Sequence, residues 1–221
     1  MKVEVLKGIT SANDAIAARN RQVLDKHKVV ALNIMSSPGA GKTSLILQTI
    51  DRLKSKLKLA VIEGDVASKI DADKIDERGI PVLQINVGAS CSLEAQMITP
   101  ALDKLPLENI DLLFIENVGN LICPAEFALG EHKKVVIPSI PEGDDKPTKY
   151  PLMFTEADAV VINKLDLLPH LEFDLISFRK AIEGLNPSCK IFEVSCKTGT
   201  GIDDWCSWLS AEVKKAVSEI K

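Results

Sequence analysis

Eight consecutive residues, Ser36-Ser37-Pro38-Gly39-Ala40-Gly41-Lys42-Thr43, have the composition of a loop built to hold phosphate. Glycines at 39 and 41 free the backbone to turn its amides inward, and a helix starting at Lys42 adds the positive end of its dipole. Lys42 is then placed to reach β- and γ-phosphates and Thr43 to put its hydroxyl on Mg²⁺. Ser37, Pro38, Ala40 and Ser44 complete the nucleotide-binding surface of that loop. The usual pattern opens with glycine and Ser36 stands there, which is tolerable if its φ stays negative. An ordinary strand-to-helix turn is the bland alternative, and the intact Gly41-Lys42-Thr43 argues against it.

A second short motif, Asn163-Lys164-Leu165-Asp166, follows an apolar run. A carboxylate can accept two hydrogens from N1 and N2 of guanine, a pattern adenine does not offer. Asp166 is the natural acceptor, Asn163 bridges the base and neighbouring loops, and Lys164 lays its stem along the purine face. A buried polar group left unpaired by the wrong base gives selectivity on the order of 10⁴-fold. Ser195-Cys196-Lys197, after another apolar run, is similar to the Ser-Ala-Lys guanine loop of GTPases, which places those three residues at the nucleotide as well.

Glu116-Asn117-Val118-Gly119-Asn120 supplies an acidic residue for Mg²⁺ and a Gly119 amide for the γ-phosphate. Asn120 is one methylene shorter than the water-orienting glutamine of Ras-type proteins, so slow intrinsic turnover is expected unless another group positions water. Asp65 and Asp71 are the candidates for metal or water; a solvated acidic face including Asp73 is the alternative for Asp71. The expected magnesium set is therefore Thr43, Asp65, Asp71 and Glu116, and the catalytic set Lys42, Asp65, Asp71 and Gly119. That chemistry is hydrolysis of the GTP β–γ phosphoanhydride.

Cys91 and Cys123 sit in stretches expected to move with nucleotide state. Two thiolates suit Zn²⁺ or Ni²⁺ but do not close a tetrahedron, and a two-fold dimer would supply four. Two independent small hydrophobes are the competing reading. Cys189, Cys196 and Cys206 look structural, and His27, His132 and His170 are too dispersed to be ligands. Five cysteines without a C-x-x-C pattern fit free thiols or a metal site in a reducing cytoplasm better than a disulfide framework.

Positioning these residues requires elements that alternate. Apolar runs at 29–35, 59–63, 82–86, 112–116, 135–140, 159–163 and 191–195 read as strands. Helical periodicity occupies 42–53, 70–78, 93–105, 172–185 and 203–220, the last with Ile202, Trp205, Leu209, Val213, Ala216 and Ile220 recurring. Continuous apolar strands between helices predict an α/β fold, a three-layer P-loop NTPase with a mostly parallel, helix-covered sheet and ligands beyond the carboxyl ends of the strands. Residues 1–27 read as an N-terminal helical extension, a helix over 12–27 with Ser11 as cap and Ile16, Val23 and Leu24 on its stripe. Residues 28–221 read as the G domain.

Composition narrows the partners. With 221 residues the chain buries enough surface to fold without disulfides or metal. A net charge of −4 and only six Phe, one Tyr and two Trp argue against nucleic acid. No run is long enough for a membrane span and residues 1–15 hold no signal core, so a cytoplasmic protein is expected.

From about residue 20 onward the sequence resembles the hydrogenase nickel-incorporation GTPases, the HypB family of the SIMIBI class. The resemblance rests on SSPGAGKT at 36–43, EGDVASKIDADK at 63–74, GASCSLEAQMI at 88–98, LLFIENVGNLICP at 112–124, EGDD at 142–145 and NKLDLL at 163–168. It implies a metallochaperone that binds GTP/GDP, forms a GTP-dependent homodimer, and helps deliver Ni²⁺ to apo-hydrogenase. The implied partners are a hydrogenase large-subunit precursor and a small zinc-binding accessory protein. Family members bind metal at the dimer interface through Cys-His and a second Cys, positions that match Cys91 and Cys123. The histidine position is Ser92 here, which leaves the third ligand open. No cysteine precedes residue 91, so the N-terminal nickel-storage site of many members is not expected. Two alternatives remain: a related accessory GTPase for urease or a cobalamin mutase, or a metal-binding protein with nucleotide as a structural ligand only. The urease GTPases carry Cys-Pro-His where this chain has Cys123-Pro124-Ala125.

Overall fold

Short apolar runs closed by glycine, proline or charge cannot complete a helix, and among the described residues they form seven strands. These are β1 (Val30–Met35), β2 (Leu59–Asp65), β3 (Val82–Asn86), β4 (Leu112–Glu116), β5 (Lys133–Val136), β6 (Ala159–Ile162) and β7 (Lys190–Glu193). The structure, a computed structural model, describes residues 9–65 and 70–219. The strands lie in the order β3-β2-β4-β1-β5-β6-β7, every neighbouring pair parallel. After β1 the chain builds first toward one edge and then toward the other, so the loop leaving β1 stands at the switch point where such sheets bind ligands.

Alternate residues of the central strands face two helical layers. Val30, Leu32, Ile34, Phe114 and Val161 pack against α2 (Lys42–Leu53), α3 (Ile70–Asp76) and α9 (Ile202–Glu219). In that layer the Trp205 Nε1–H donates to Thr49 Oγ1 at 2.9 Å, fastening α9 to α2. On the other face α1 (Ile9–His27) and α4 (Ala95–Leu102) cover Ala31, Ile62, Leu113 and Ile115. Beside them α7 (Pro151–Thr155) and α8 (Leu175–Leu185) cover Met35, Val136, Val160 and Ile162. The expected three-layer arrangement is present, and its sheet is wholly parallel. No helix among the described residues is long and apolar enough to cross a membrane.

Several boundaries differ from the sequence expectation, for physical reasons. The fifth strand runs over 133–136 instead of 135–140. Backbone pairing of Lys133 and Lys134 opposite Leu32 and Asn33 does not depend on side-chain polarity, while Pro138 has no N–H to continue the ladder. The helix expected over 172–185 begins at Leu175, because Asp174 caps it by accepting from the Ser177 amide at 2.9 Å. Short α5 (Cys123–Glu126) and α6 (Lys146–Lys149) occupy stretches too brief for a periodic signal.

The first helix buries Leu24 as expected, but the rest of its buried line differs from the expected Ile16 and Val23. Its buried line is Asn13, Ala17, Asn20 and Leu24, while Val23 is exposed. The two asparagines bond to backbone: Asn13 to Ala128 O and the Ala95 amide, Asn20 to Ala95 O and Leu129 O at 2.9 and 3.0 Å. The helix starts at Ile9 and not at 12, so Ser11 lies inside its first turn and is not the cap expected there. Residues 1–8 and 66–69 and Ile220 lie outside the described residues. Replacing Asn20 by Ala leaves Leu129 O without its donor and removes one of the two bonds made by Ala95 O and by the Thr99 hydroxyl, which keep each other. We expect a loss of about 1–3 kcal/mol, read as a lower denaturation midpoint with an unchanged slope.

Candidate functional site

The loops after β1, β2, β4, β6 and β7 converge at the carboxyl edge of the sheet. Gly39 and Gly41 adopt φ of 74° and 105°, and Gly41 leads directly into α2. Ser36 is fully buried and is not among the described positive-φ residues, so the serine meets the condition set for that position. Its hydroxyl accepts from Lys42 Nζ at 3.2 Å and donates to Ser37 O at 2.7 Å. The lysine is thus held inside the loop. Burial lowers its pKa, opposed by the charges of Glu116, Asp71, Glu142 and Asp65.

Asn163 joins three loops. Its amide donates to Ala40 O at 2.9 Å, and its carbonyl oxygen accepts from the Lys164 amide at 2.7 Å and the Cys196 amide at 3.2 Å. Lys164, at φ 61°, donates from Nζ to Gly39 O at 2.7 Å. Asp166 is oriented by the Ser195 hydroxyl, which donates to its Oδ1 at 2.6 Å while accepting from the Thr198 amide. A cavity of about 410 Å³ opens here, lined by Gly39, Gly41, Ser44, Asn163, Lys164, Asp166, Leu167, Cys196 and Lys197. Residues from each of the stretches 36–44, 163–166 and 195–197 therefore share one pocket wall. Cys189, Cys196 and Cys206 are ordinary thiols pushed up to about 11 by burial.

Adjoining cavities of about 290 and 340 Å³ carry the charge. Thr43 Oγ1 lies 2.8 Å from Glu116 Oε1 and 3.2 Å from Asp71 Oδ2, and Asp71 also pairs with Lys74 at 2.6 Å. Asp65 lines the same space with Lys42 and Gly119. Gly119 touches the phosphate loop so closely that a Cβ there would sit 2.9 Å from Pro38 backbone atoms, so only glycine fits.

Glu63 escaped the sequence reading. It looks like one charge ending an apolar run, but β2–β4 register sets it directly beside Glu116. Both carboxylates are almost fully buried, and each keeps one oxygen without a hydrogen-bond partner. Burial and the neighbouring carboxylates raise Glu63 to about 7; burial also raises Glu116 to about 7, against the pull of Lys42 and Thr43. An all-oxygen set with two orphaned acceptors and a single buried lysine fits a hard divalent cation. Asn33 and Asn117 were also unforeseen, although an asparagine inside the apolar run of β1 was a visible signal.

Asn120 does not face the cavities. Its amide donates to Cys91 O at 3.2 Å and its oxygen accepts from the Ile122 amide at 2.9 Å. That geometry brings the strand-3 loop against residues 120–123. Cys91 and Cys123 meet there with Cα atoms 6.2 Å apart and their sulfurs joined as a disulfide, which corrects the expectation of free thiols at this pair. Ser92, at the position where a third ligand was in question, is buried with its carbonyl bonded to the Ser90 hydroxyl. Among the described residues no further His, Cys, Asp or Glu side chain joins the two sulfurs in a group of three or more. His132 is engaged by the Ala31 amide and Asp25.

Comparison with known proteins agrees with this geometry. Residues 30–193 match the family described as the CobW/HypB/UreG nucleotide-binding domain. The hydrogenase maturation factor HypB of Escherichia coli K12 is 45% identical over 210 residues, covering 95% of this chain and 72% of that protein. The crystal structure of the hydrogenase maturation factor HypB from Archaeoglobus fulgidus superposes with a TM-score of 0.87 at 41% identity, covering 92% of this chain and 99% of that one. The structure of HypB from Helicobacter pylori in complex with nickel gives 0.88 at 39%, covering 92% and 96%.

The buried carboxylates set a pH dependence in the ligand-free protein. Their folded pKa lies above the unfolded value, so between about 4.5 and about 7 the folded state holds more protons than the unfolded one. Their contribution is therefore present at low pH and lost as pH rises through about 7. Glu63→Gln mimics the protonated form. It should raise Tm relative to wild type at about pH 8 and change it little at about pH 5, as read by thermal melts without nucleotide or metal.

Proposed function

The chain belongs to the HypB family of the CobW/HypB/UreG nucleotide-binding proteins, and on that premise we propose that it is a GTP-hydrolysing metallochaperone serving nickel insertion into a [NiFe]-hydrogenase. One observation carries the reading: residues 117–123 run without interruption from the Gly119 contact with the phosphate loop to Cys123, and bond to Cys91 O on the way. A nucleotide-sensing segment that ends in a metal thiol makes the nucleotide a control input to that thiol.

In this proposal the amides of 39–44 and Lys42 hold the phosphates, and Asp166, braced by Ser195, accepts the guanine N1 and N2 hydrogens. Thr43, Asp65, Asp71 and Glu116 would hold Mg²⁺, with Glu63 beside them; the ion would neutralise charge between the β- and γ-phosphates. Since Asn120 is turned to Cys91, orientation of water falls to the carboxylates at the Gly119 end of the cavity, Asp65 and Glu63. Gly119 supplies its amide to the γ-phosphate.

The reduced Cys91 and Cys123 would present two soft ligands per chain, and a second copy would complete four. This supports a homodimer whose assembly with GTP builds the metal site. Thiolate suits Ni²⁺ and Zn²⁺ alike, and the nickel in the Helicobacter pylori relative favours Ni²⁺ as cargo. A hydrogenase large-subunit precursor and a small zinc-binding accessory protein are the proposed partners, in the cytoplasm.

Two measurements test this. Ni²⁺ titrated into the reduced protein should bind with an affinity that differs by about fivefold or more between GDP and a non-hydrolysable GTP analogue. Cys91→Ser/Cys123→Ser should abolish that binding, and Lys42→Ala should abolish GTP turnover. Equal affinities in both nucleotide states, or turnover unaffected by Lys42→Ala, would overturn the proposal. Separately, Asp166→Asn should move preference from GTP toward xanthosine triphosphate by about 10²-fold or more in relative affinity. Unchanged preference would remove Asp166 from the base-reading role.

A further inference from the structure

Asn117 is almost fully buried at the edge of the charged cavity beside Glu116, and both polar atoms of its side chain are engaged by protein groups away from Lys42 and Thr43. Its Oδ1 accepts from two backbone amides, Val118 at 2.9 Å and Leu93 at 3.0 Å. Its Nδ2 donates to Asn33 Oδ1 at 3.1 Å, Asn33 donates on to Glu131 Oε1, and Glu131 Oε2 accepts from the Leu129 amide. The Asn117 amide donates to Ile34 O at 3.0 Å. The residue is thereby fixed to the central strand.

The two amides that share one oxygen belong to different devices. Val118 leads into Gly119, pressed against Pro38 of the phosphate loop. Leu93 lies two residues from Cys91. Leu93 also fills the space above Gly64, where a Cβ would come within 2.7 Å of its Cγ, and Gly64 lies between Glu63 and Asp65. One leucine is thus held by the γ-phosphate-sensing segment through its amide and by the carboxylate loop through its side chain. A carbonyl oxygen has two acceptor sites, and both are used, so Val118 cannot shift with Asn117 without moving Leu93 or leaving a buried amide unpaired.

We propose that Asn117 is a positioning residue that transmits displacement of Val118–Gly119 to Leu93 and hence to Cys91, making nucleotide state felt at the thiol pair. This rests on the reading of Gly119 as γ-phosphate donor and of Cys91 and Cys123 as metal ligands. Asn117→Ala removes the shared acceptor, while Asn117→Asp keeps an oxygen at that position. The test measures, in the reduced full-length chain, the ratio of Ni²⁺ affinities with GDP and with a non-hydrolysable GTP analogue. It also measures alkylation rates of Cys91 and Cys123 in the same two states without metal.

Wild type should give an affinity ratio of about fivefold or more, and Asn117→Ala a clearly smaller ratio carried only by the direct link of residues 119–123. Asn117→Asp should give partial recovery, since it keeps the shared acceptor but loses the donor to Asn33. Alkylation rates should follow the same order. A wild-type ratio retained by Asn117→Ala overturns the inference while leaving the proposed function standing. A ratio near one in wild type removes the nucleotide–metal coupling itself, and the pivot with it. If Asn117→Ala does not fold, Asn117→Ser, too short to reach both amides, is read in the same way.

Discussion

The side chain of Asn163 closes the site. Three strands, β1, β6 and β7, each end in a loop that would otherwise be free to find its own conformation. A single buried amide fixes all three, donating to Ala40 and accepting from Lys164 and Cys196. Its own backbone amide donates to Pro138 O, so the chain leaving β6 stays tied to the continuation of β5. Aspartate could not donate to Ala40, and glutamine would carry the amide past it. Because Gly41 lies against the Asn163 amide, any Cβ at 41 would collide with it, so the glycine and the asparagine impose each other. The phosphate loop and the base pocket are consequently one rigid object before any nucleotide binds.

Against that rigid half stands a strained electrostatic half. Glu63, Asp65, Asp71 and Glu116 gather around Lys42, and two of them keep buried oxygens without partners. Burying unpaired charge costs stability, so such groups hold protons near neutrality or wait for a cation. Sequences that are locally consistent elsewhere break that consistency where a ligand is to be bound. The sheet accepts the cost because parallel register leaves no choice. A residue at the end of β2 must stand beside its counterpart at the end of β4, and both must face the switch-point loop.

What could be read from the sequence followed the same division. The convergence of the first half was legible, because 36–44, 163–166 and 195–197 are contiguous stretches at strand ends, and their loops do meet at one pocket. Asp65 and Glu116 were legible as acids at strand ends, and Asp71 as an acid in the stretch that follows β2 and opens α3. Glu63 was not, because its meaning comes from register with Glu116, and register is a property of two distant segments. Asn117 was not singled out, because its side-chain hydrogen bonds reach Leu93 and Asn33, both distant in the chain. The buried line of α1 was read correctly at Leu24 and missed at Asn13 and Asn20, which bond to carbonyls, because hydrophobic periodicity assigns such residues to the outside.

The thiol pair is where the two halves meet, and its incompleteness is informative. One chain brings Cys91 and Cys123 together, while Ser92 is turned into the interior. Two sulfurs can close on each other or share a metal with ligands from outside the chain; they cannot do both. A site that needs a second copy has an affinity that collapses when the copies part, which suits delivery better than storage. On the proposed reading, GTP favours the assembled form through Gly119 and its hydrolysis withdraws that support. The metal is then left on half a site at the moment a recipient can offer a whole one. On that reading the soft donors would set which ions can enter, while the lifetime of the bound ion would be set by the phosphate end of the site, through the segment from Asn117 to Cys123.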